Sequence, residues 1–121
     1  MRLQESGEMY LETIYLLSQS TSRVRAIDVV QEMGYSKPSV SRAVGLLKDG
    51  GFITVDAEGC LHLTEEGLEV AHKTYERHTV LSNFFKAIGV CDEIASEDAC
   101  KIEHCISDTT FEALKTHFET L

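Results

Sequence analysis

The sequence predicts a mainly α-helical chain with one small β-hairpin: an N-terminal winged helix-turn-helix, then an all-helical second part. Three observations carry this. Apolar residues recur at helical spacing in six stretches, Gly50-Gly51 and Asp56–Gly59 bracket two short alternating segments, and charge is unequally divided. The net charge is −9, yet residues 1–50 hold six basic and six acidic side chains. Residues 51–121 hold five basic and 14 acidic ones, so the whole excess lies there. Taken alone, −9 argues against a nucleic-acid binder. Its distribution suggests two jobs, a neutral part able to approach a polyanion and an acidic part able to collect cations.

The elements follow in order. Met9, Leu11, Ile14, Tyr15, Leu16 and Leu17 give a helix over about 5–19, ended by the polar run Ser18–Ser22. Val24, Ile27, Val29, Val30 and Met33 mark a second helix, 25–33, stopped by Gly34. Ser36 is an N-cap for a third helix, and Pro38 falls in its first turn, where a missing N–H costs little. Val40, Val44, Leu46 and Leu47 supply its apolar face to Asp49. Gly45 inside it costs about 1 kcal/mol against Ala, and close packing is the one reason the sequence offers. Phe52–Val55 and Cys60–Leu63 read as paired strands. Thr64 with Glu65 and Glu66 starts a long helix that ends before Gly89, with the acids at the positive end of its dipole. Helices over about 93–106 and 108–120 follow, the last capped by Ser107 or Asp108. Domains 1–63 and 64–121 are expected.

At 121 residues with 43% hydrophobic and 26% charged content, the chain is an ordinary globular domain or two small ones sharing a core. No apolar run approaches the roughly 18 residues of a membrane span. No charged-then-apolar leader opens the chain, so a cytoplasmic protein is expected. Cys60, Cys91, Cys100 and Cys105 form no CxxC pair, which disfavours a zinc ribbon or thioredoxin-like site.

A helix, a short turn at Gly34, a second helix with a polar start and then a hairpin describe a winged helix-turn-helix. The first turns of such a helix reach base edges in the major groove. Here they carry Lys37, Pro38, Ser39, Ser41 and Arg42. Ser36 and the helix N-terminus suit phosphates, Arg25 and Lys48 suit the DNA backbone, and Pro38 suits a thymine methyl. The wing, 56–59, is acidic and a poor phosphate binder. Packing alone is the competing explanation of this pattern.

Cys100, Glu103 and His104 stand at i, i+3 and i+4, one face of a helix. Thiolate, carboxylate and imidazole are ordinary ligands of a first-row transition metal. Met9 and Glu12 share a face of the first helix, and His78 lies mid-way along the long helix. Each has a bland alternative taken singly: Met9 as core filler, Cys100 as a small buried hydrophobe, Glu12 and Glu103 as solvated surface, His78 as structural. An acid and an imidazole beside a thiol are costly to bury unpaired, which favours the metal reading of the cluster. Cys105 turns about 100° from His104 and is expected in the core. Cys60 and Cys91 are expected to be bland, and His62, His72 and His117 to be isolated at the surface.

Glu8–Tyr15, Ser36–Ser41, Leu63–Gly67 and Cys100–His104 together resemble, in order and spacing, the diphtheria toxin repressor and manganese transport regulator family of metal-activated repressors. The resemblance runs over nearly the whole chain, which stops where longer members carry an SH3-like domain and so is similar to the short form. It implies a winged-helix domain, a helical dimerisation domain, and divalent metal bound between the first helix and the second domain. By motif position, Met9, Cys100, Glu103 and His104 match the principal site of the iron-responsive branch. Glu12 and His78 match positions of the manganese branch, and His78 also an ancillary iron-branch ligand. Ser82 and Ser96 stand where that branch commonly has a Glu and a His.

Thiolate and thioether favour Fe2+ over Mn2+, with Co2+, Ni2+ and Zn2+ binding in vitro. The implied protein is no enzyme. It is a homodimeric repressor of metal homeostasis on a palindromic double-stranded DNA operator, with no membrane and no small organic substrate. Metal tying Met9 and Glu12 to residues 78–104 would favour a dimer whose recognition helices fit successive major grooves; a 1:99 to 99:1 shift needs about 5.5 kcal/mol. The alternative is a metal-independent winged-helix regulator sensing thiol oxidation through Cys100 and Cys105. A nucleophilic enzyme using Cys100 and His104 lacks an oxyanion loop or second base motif.

Overall fold

The structure, a computed structural model, describes residues 5–120. In chain order its elements are α1 (Glu5–Ser18), α2 (Ala26–Met33), α3 (Lys37–Asp49), β1 (Ile53–Val55), β2 (Leu61–Leu63), α4 (Glu65–Ala87), α5 (Asp92–Ile102) and α6 (Asp108–Glu119). The chain divides into two compact units inside α4, one running to His72 and one from Lys73.

In the first unit, Leu11 and Ile14 of α1, Val29 of α2, Val40 and Leu47 of α3, and Ile53 and Leu61 of the hairpin are buried in one core, with Ala71 from the start of α4. Gly34 ends α2 in the left-handed region, φ 72°, with its N–H donating to the Val30 carbonyl, so α3 begins only three residues later. Ser36 caps α3, its hydroxyl accepting from the Ser39 N–H. The hairpin is antiparallel with Ile53 opposite Leu63 and Val55 opposite Leu61.

Two expectations change here. The second helix starts at Ala26, one residue later than expected: Arg25 is extended (φ −119°, ψ 166°) and bridges Cys60, while the Leu61 N–H donates to the Val24 carbonyl. The apolar spacing that made Val24 look helical instead buries it beneath the hairpin. Nor does Gly45 serve a close approach, because an added Cβ there would meet nothing within 4 Å.

The close approach is at Gly67, where a Cβ would lie 2.0 Å from the Phe52 carbonyl oxygen. Thr64 sets that contact. Its hydroxyl donates to the Gly51 carbonyl at 2.7 Å and accepts from the Gly67 N–H at 3.1 Å, so one side chain caps α4 and fastens it to the turn before β1.

In the second unit, α4 carries the buried residues Thr74, Arg77, Leu81 and Ser82, α5 carries Ala95 and Ala99, and α6 carries Phe111. Gly89, φ 104°, follows α4. The expected helix over 93–106 is shorter: α5 ends at Ile102, with Glu103 as its cap, and a turn leads to Ser107, which caps α6. Cys105 lies on that turn and is exposed rather than in the core.

Opposite outcomes are expected at two glycines. Gly67→Ala should lower stability by about 1–3 kcal/mol, since backbone must move. Gly45→Ala should raise it by about 1 kcal/mol. Denaturant unfolding of the two variants against the parent checks both.

Candidate metal centre and nucleic-acid interface

All the residues expected to face DNA are exposed: Arg25, Ser36, Lys37, Pro38, Ser39, Ser41, Arg42 and Lys48. Burying Val40 and Leu47 inward turns Lys37, Ser41, Arg42 and Lys48 of the same helix to solvent. Beside them a cleft of about 750 Å³ is lined by Tyr10, Tyr35, Ser36, Ser39, Arg42 and Leu46. Ser36 is partly committed, since its hydroxyl also donates to Ser39 Oγ at 2.8 Å.

The acidic wing has an internal role that the sequence reading missed. Asp56 Oδ1 accepts from the Glu58 and Cys60 N–H groups, each at 2.9 Å, and its Oδ2 lies 2.9 Å from His62 Nε2. Glu58 pairs with Arg23 at 2.9 Å, joining the wing tip to the segment before α2. The hydrogen bond with His62, then those from the backbone, hold the Asp56 carboxyl below its usual range. His62 is thus exposed but not isolated; His72 is also exposed and packs edge-on against Tyr15, ring centroids 4.8 Å apart. Cys60 is buried, and Cys91 is exposed at the N-cap of α5.

In the second unit, His78 of α4 meets the end of α5. Its Nδ1 lies 2.8 Å from Glu103 Oε2, and its Nε2 lies 3.4 Å from Ser96 Oγ. His104 Nε2 is 3.2 Å from Glu103 Oε1. The side chains of Glu103 and His104 have no exposed surface, while that of His78 retains 28%. Burial pushes the Glu103 carboxyl up, but His104 and then His78 more than offset this and hold it below the usual range. Cys100, one turn before Glu103 on α5, is half-buried. Met9 and Glu12 are half-buried on α1 of the first unit.

The donor set suits a divalent ion of borderline softness. Glu103 Oε1 is a buried acceptor that receives no hydrogen bond, its contact with His104 being close but off hydrogen-bond geometry. Such an atom is costly to leave so unless something further uses it. Among the described residues, no three His, Cys, Asp or Glu side chains are gathered at metal-holding spacing. Instead Glu103 is closed up against its two histidines.

Two family models cover the chain nearly end to end. Residues 2–61 match the iron dependent repressor N-terminal DNA binding domain, and residues 64–121 the iron dependent repressor metal binding and dimerisation domain. The chain belongs to the diphtheria toxin repressor and manganese transport regulator family of metal-dependent transcriptional repressors. Among this chain's relatives, the transcriptional regulator MntR of an Escherichia coli strain is 33% identical over 106 residues, 88% of this chain and 68% of the relative. An HTH-type transcriptional regulator of Methanocaldococcus jannaschii is 30% identical over 119 residues, 97% of this chain and 95% of the relative. The solved structure of the manganese regulator SloR superposes with a TM-score of 0.84 at 25% identity, covering all of this chain. This chain spans 56% of that protein's length. These relatives are regulators, not enzymes. Among the described residues, no helix is long and apolar enough to cross a membrane.

The wing should respond to acid with a definite sign. A depressed carboxyl contributes fully above its unfolded pKa of about 3.9 and loses that contribution as pH falls through the lower folded value. Protection of the Glu58 and Cys60 amides from hydrogen exchange, measured against the intrinsic rate at each pH, should therefore fall below about pH 4, and at neutral pH in Asp56→Ala.

Proposed function

We propose that the protein is a metal-responsive repressor that holds a divalent first-row ion through Cys100, Glu103 and His104, with Met9, Glu12 and His78 as further ligands. The observation that carries this is the fully buried Glu103 carboxylate, drawn by α4 and α5 between two imidazoles, with one oxygen that receives no hydrogen bond. The parts assigned to Met9 and Glu12 rest on their i, i+3 spacing and on the family's motif positions. We take 1–63 as the DNA reader and 64–121 as the metal-binding and dimerisation part.

When bound, such an ion supplies two positive charges and a preference among oxygen, nitrogen and sulfur donors. Glu103 supplies a carboxylate already ionised. His78 turns Nδ1 to that carboxylate and Nε2 to the Ser96 side, so the hydrogen bond at one ring nitrogen sets the orientation of the other. Ser82 is buried one turn further along α4 and offers no carboxylate, so an iron-type ancillary site is not part of the proposal.

The soft donors Met9 and Cys100 favour Fe2+ over Mn2+. The names of the manganese regulators among the relatives favour Mn2+ as the second reading. Cytoplasmic DNA is the other partner, a palindromic operator read by a homodimer with Lys37, Pro38, Ser39, Ser41 and Arg42 at base edges and Arg25, Ser36 and Lys48 at phosphates. Thiol sensing through Cys100 and Cys105 is not favoured, because the segment carrying both matches a metal-binding family model.

Three outcomes are expected. In an anaerobic titration, Fe2+ should activate operator binding at a lower free concentration than Mn2+; the reverse order selects manganese. Cys100→Ala and His104→Ala should keep the fold by circular dichroism yet lose metal-dependent DNA retardation. Arg42→Ala should weaken operator binding by about 1–3 kcal/mol while metal uptake stays unchanged.

A further inference from the structure

Arg77 is a buried cation that the proposed site does not use. It is 7% exposed and sits on α4 immediately before His78. Its Nη1 donates to two backbone carbonyls of the turn after α5, Glu103 at 3.0 Å and Ile106 at 2.6 Å. Its Nη2 pairs with Asp108, in the first turn of α6, and the guanidinium lies 5.5 Å from the Phe111 ring centroid. Lys73, one turn earlier on α4, holds the same Asp108 carboxylate at 2.9 Å. Arg77 Nε is buried without a hydrogen-bond partner.

Burying a guanidinium is expensive, and an apolar residue of similar volume often serves packing better. This one instead meets a specific need. The last carbonyls of a helix lack partners within it and form the negative end of its dipole. Glu103 caps α5, so its carbonyl is one of these, and the turn from Glu103 to Ser107 contains no glycine to close it. Two adjacent residues of α4 therefore grip one residue of the turn: Arg77 holds the backbone of Glu103, and His78 holds its carboxylate.

We propose that Arg77 is a positioning residue for the metal centre, its planar fork fixing the 103–106 turn so that Glu103 and His104 are presented in one orientation. The proposal rests on the metal reading above. A lysine cannot reproduce it, because one ammonium lacks the rigid fork that spans two carbonyls and a carboxylate.

The test is an anaerobic Co2+ titration of the full chain, followed by its visible ligand-field spectrum and by calorimetry. Wild type should take up Co2+ stoichiometrically; no uptake would sink the metal reading, and this proposal with it. Arg77→Met should bind Co2+ about 10–100-fold more weakly and with an altered spectrum. Phe118→Leu is the stability control, since it loosens the Phe84–Phe118 ring contact without touching the Arg77 network. It should lower the melting temperature yet keep wild-type Co2+ affinity and spectrum. Should Arg77→Met fail to fold, Arg77→Lys takes its place, with an affinity between wild type and that loss expected. A wild-type affinity and spectrum in the Arg77 variant that folds would overturn the proposal. So would equal losses in the Arg77 variant and in Phe118→Leu.

Discussion

Glu103 is a carboxylate with no exposed side-chain surface, and the arrangement of the C-terminal unit follows from it. An ion taken out of water costs several kcal/mol unless its lone pairs are engaged. The chain meets that cost from two directions. α4 supplies the His78 imidazole to one oxygen, and the turn after α5 supplies His104 beside the other. These contacts outweigh burial and keep the group acidic, which a metal ligand requires. α5 stops at Ile102, and Arg77 takes two carbonyls from there on, those of Glu103 and Ile106.

The N-terminal unit solves a different problem, which is to hold a short helix rigidly while leaving its outer face bare. Glycine at position 67 lets α4 touch the backbone of Phe52, just before β1, and Thr64 fastens that contact. Gly34 turns the chain tightly enough for α2 and α3 to share a core. The wing's acids are exposed but paired locally, Asp56 with its own turn and His62, Glu58 with Arg23 before α2. Their charge therefore serves local structure next to a helix whose exposed face carries Lys37, Arg42 and Lys48.

The −9 net charge takes on a more particular meaning with the structure in hand. Part of the acidic excess after residue 50 is paired within its unit: Asp108 with Lys73 and Arg77, Glu76 with Lys115, and Glu103 with its histidines. The surface pairs are worth little individually. The buried carboxylate differs, because screening by solvent does not reach it.

Sequence alone determined the order and nature of the elements, the turn at Gly34, the cap at Ser36, a cap at Ser107 or Asp108, and the Cys100–Glu103–His104 spacing. All of these are set by interactions within about four residues, which periodicity and capping chemistry report directly. It misread Val24–Arg25 and the end of α5, where partners far along the chain decide, and also Gly45, where an added Cβ would meet nothing within 4 Å, and Cys105, which falls on the turn after α5. The pairing of His78 with Glu103 spans 25 residues, and the reach of Arg77 to Glu103, Ile106 and Asp108 spans 26 to 31. No local pattern encodes such distances. Only the packing of α4 against the end of α5 and the start of α6 decided that Glu103 would be buried, that two histidines would flank it, and that an arginine would hold its backbone.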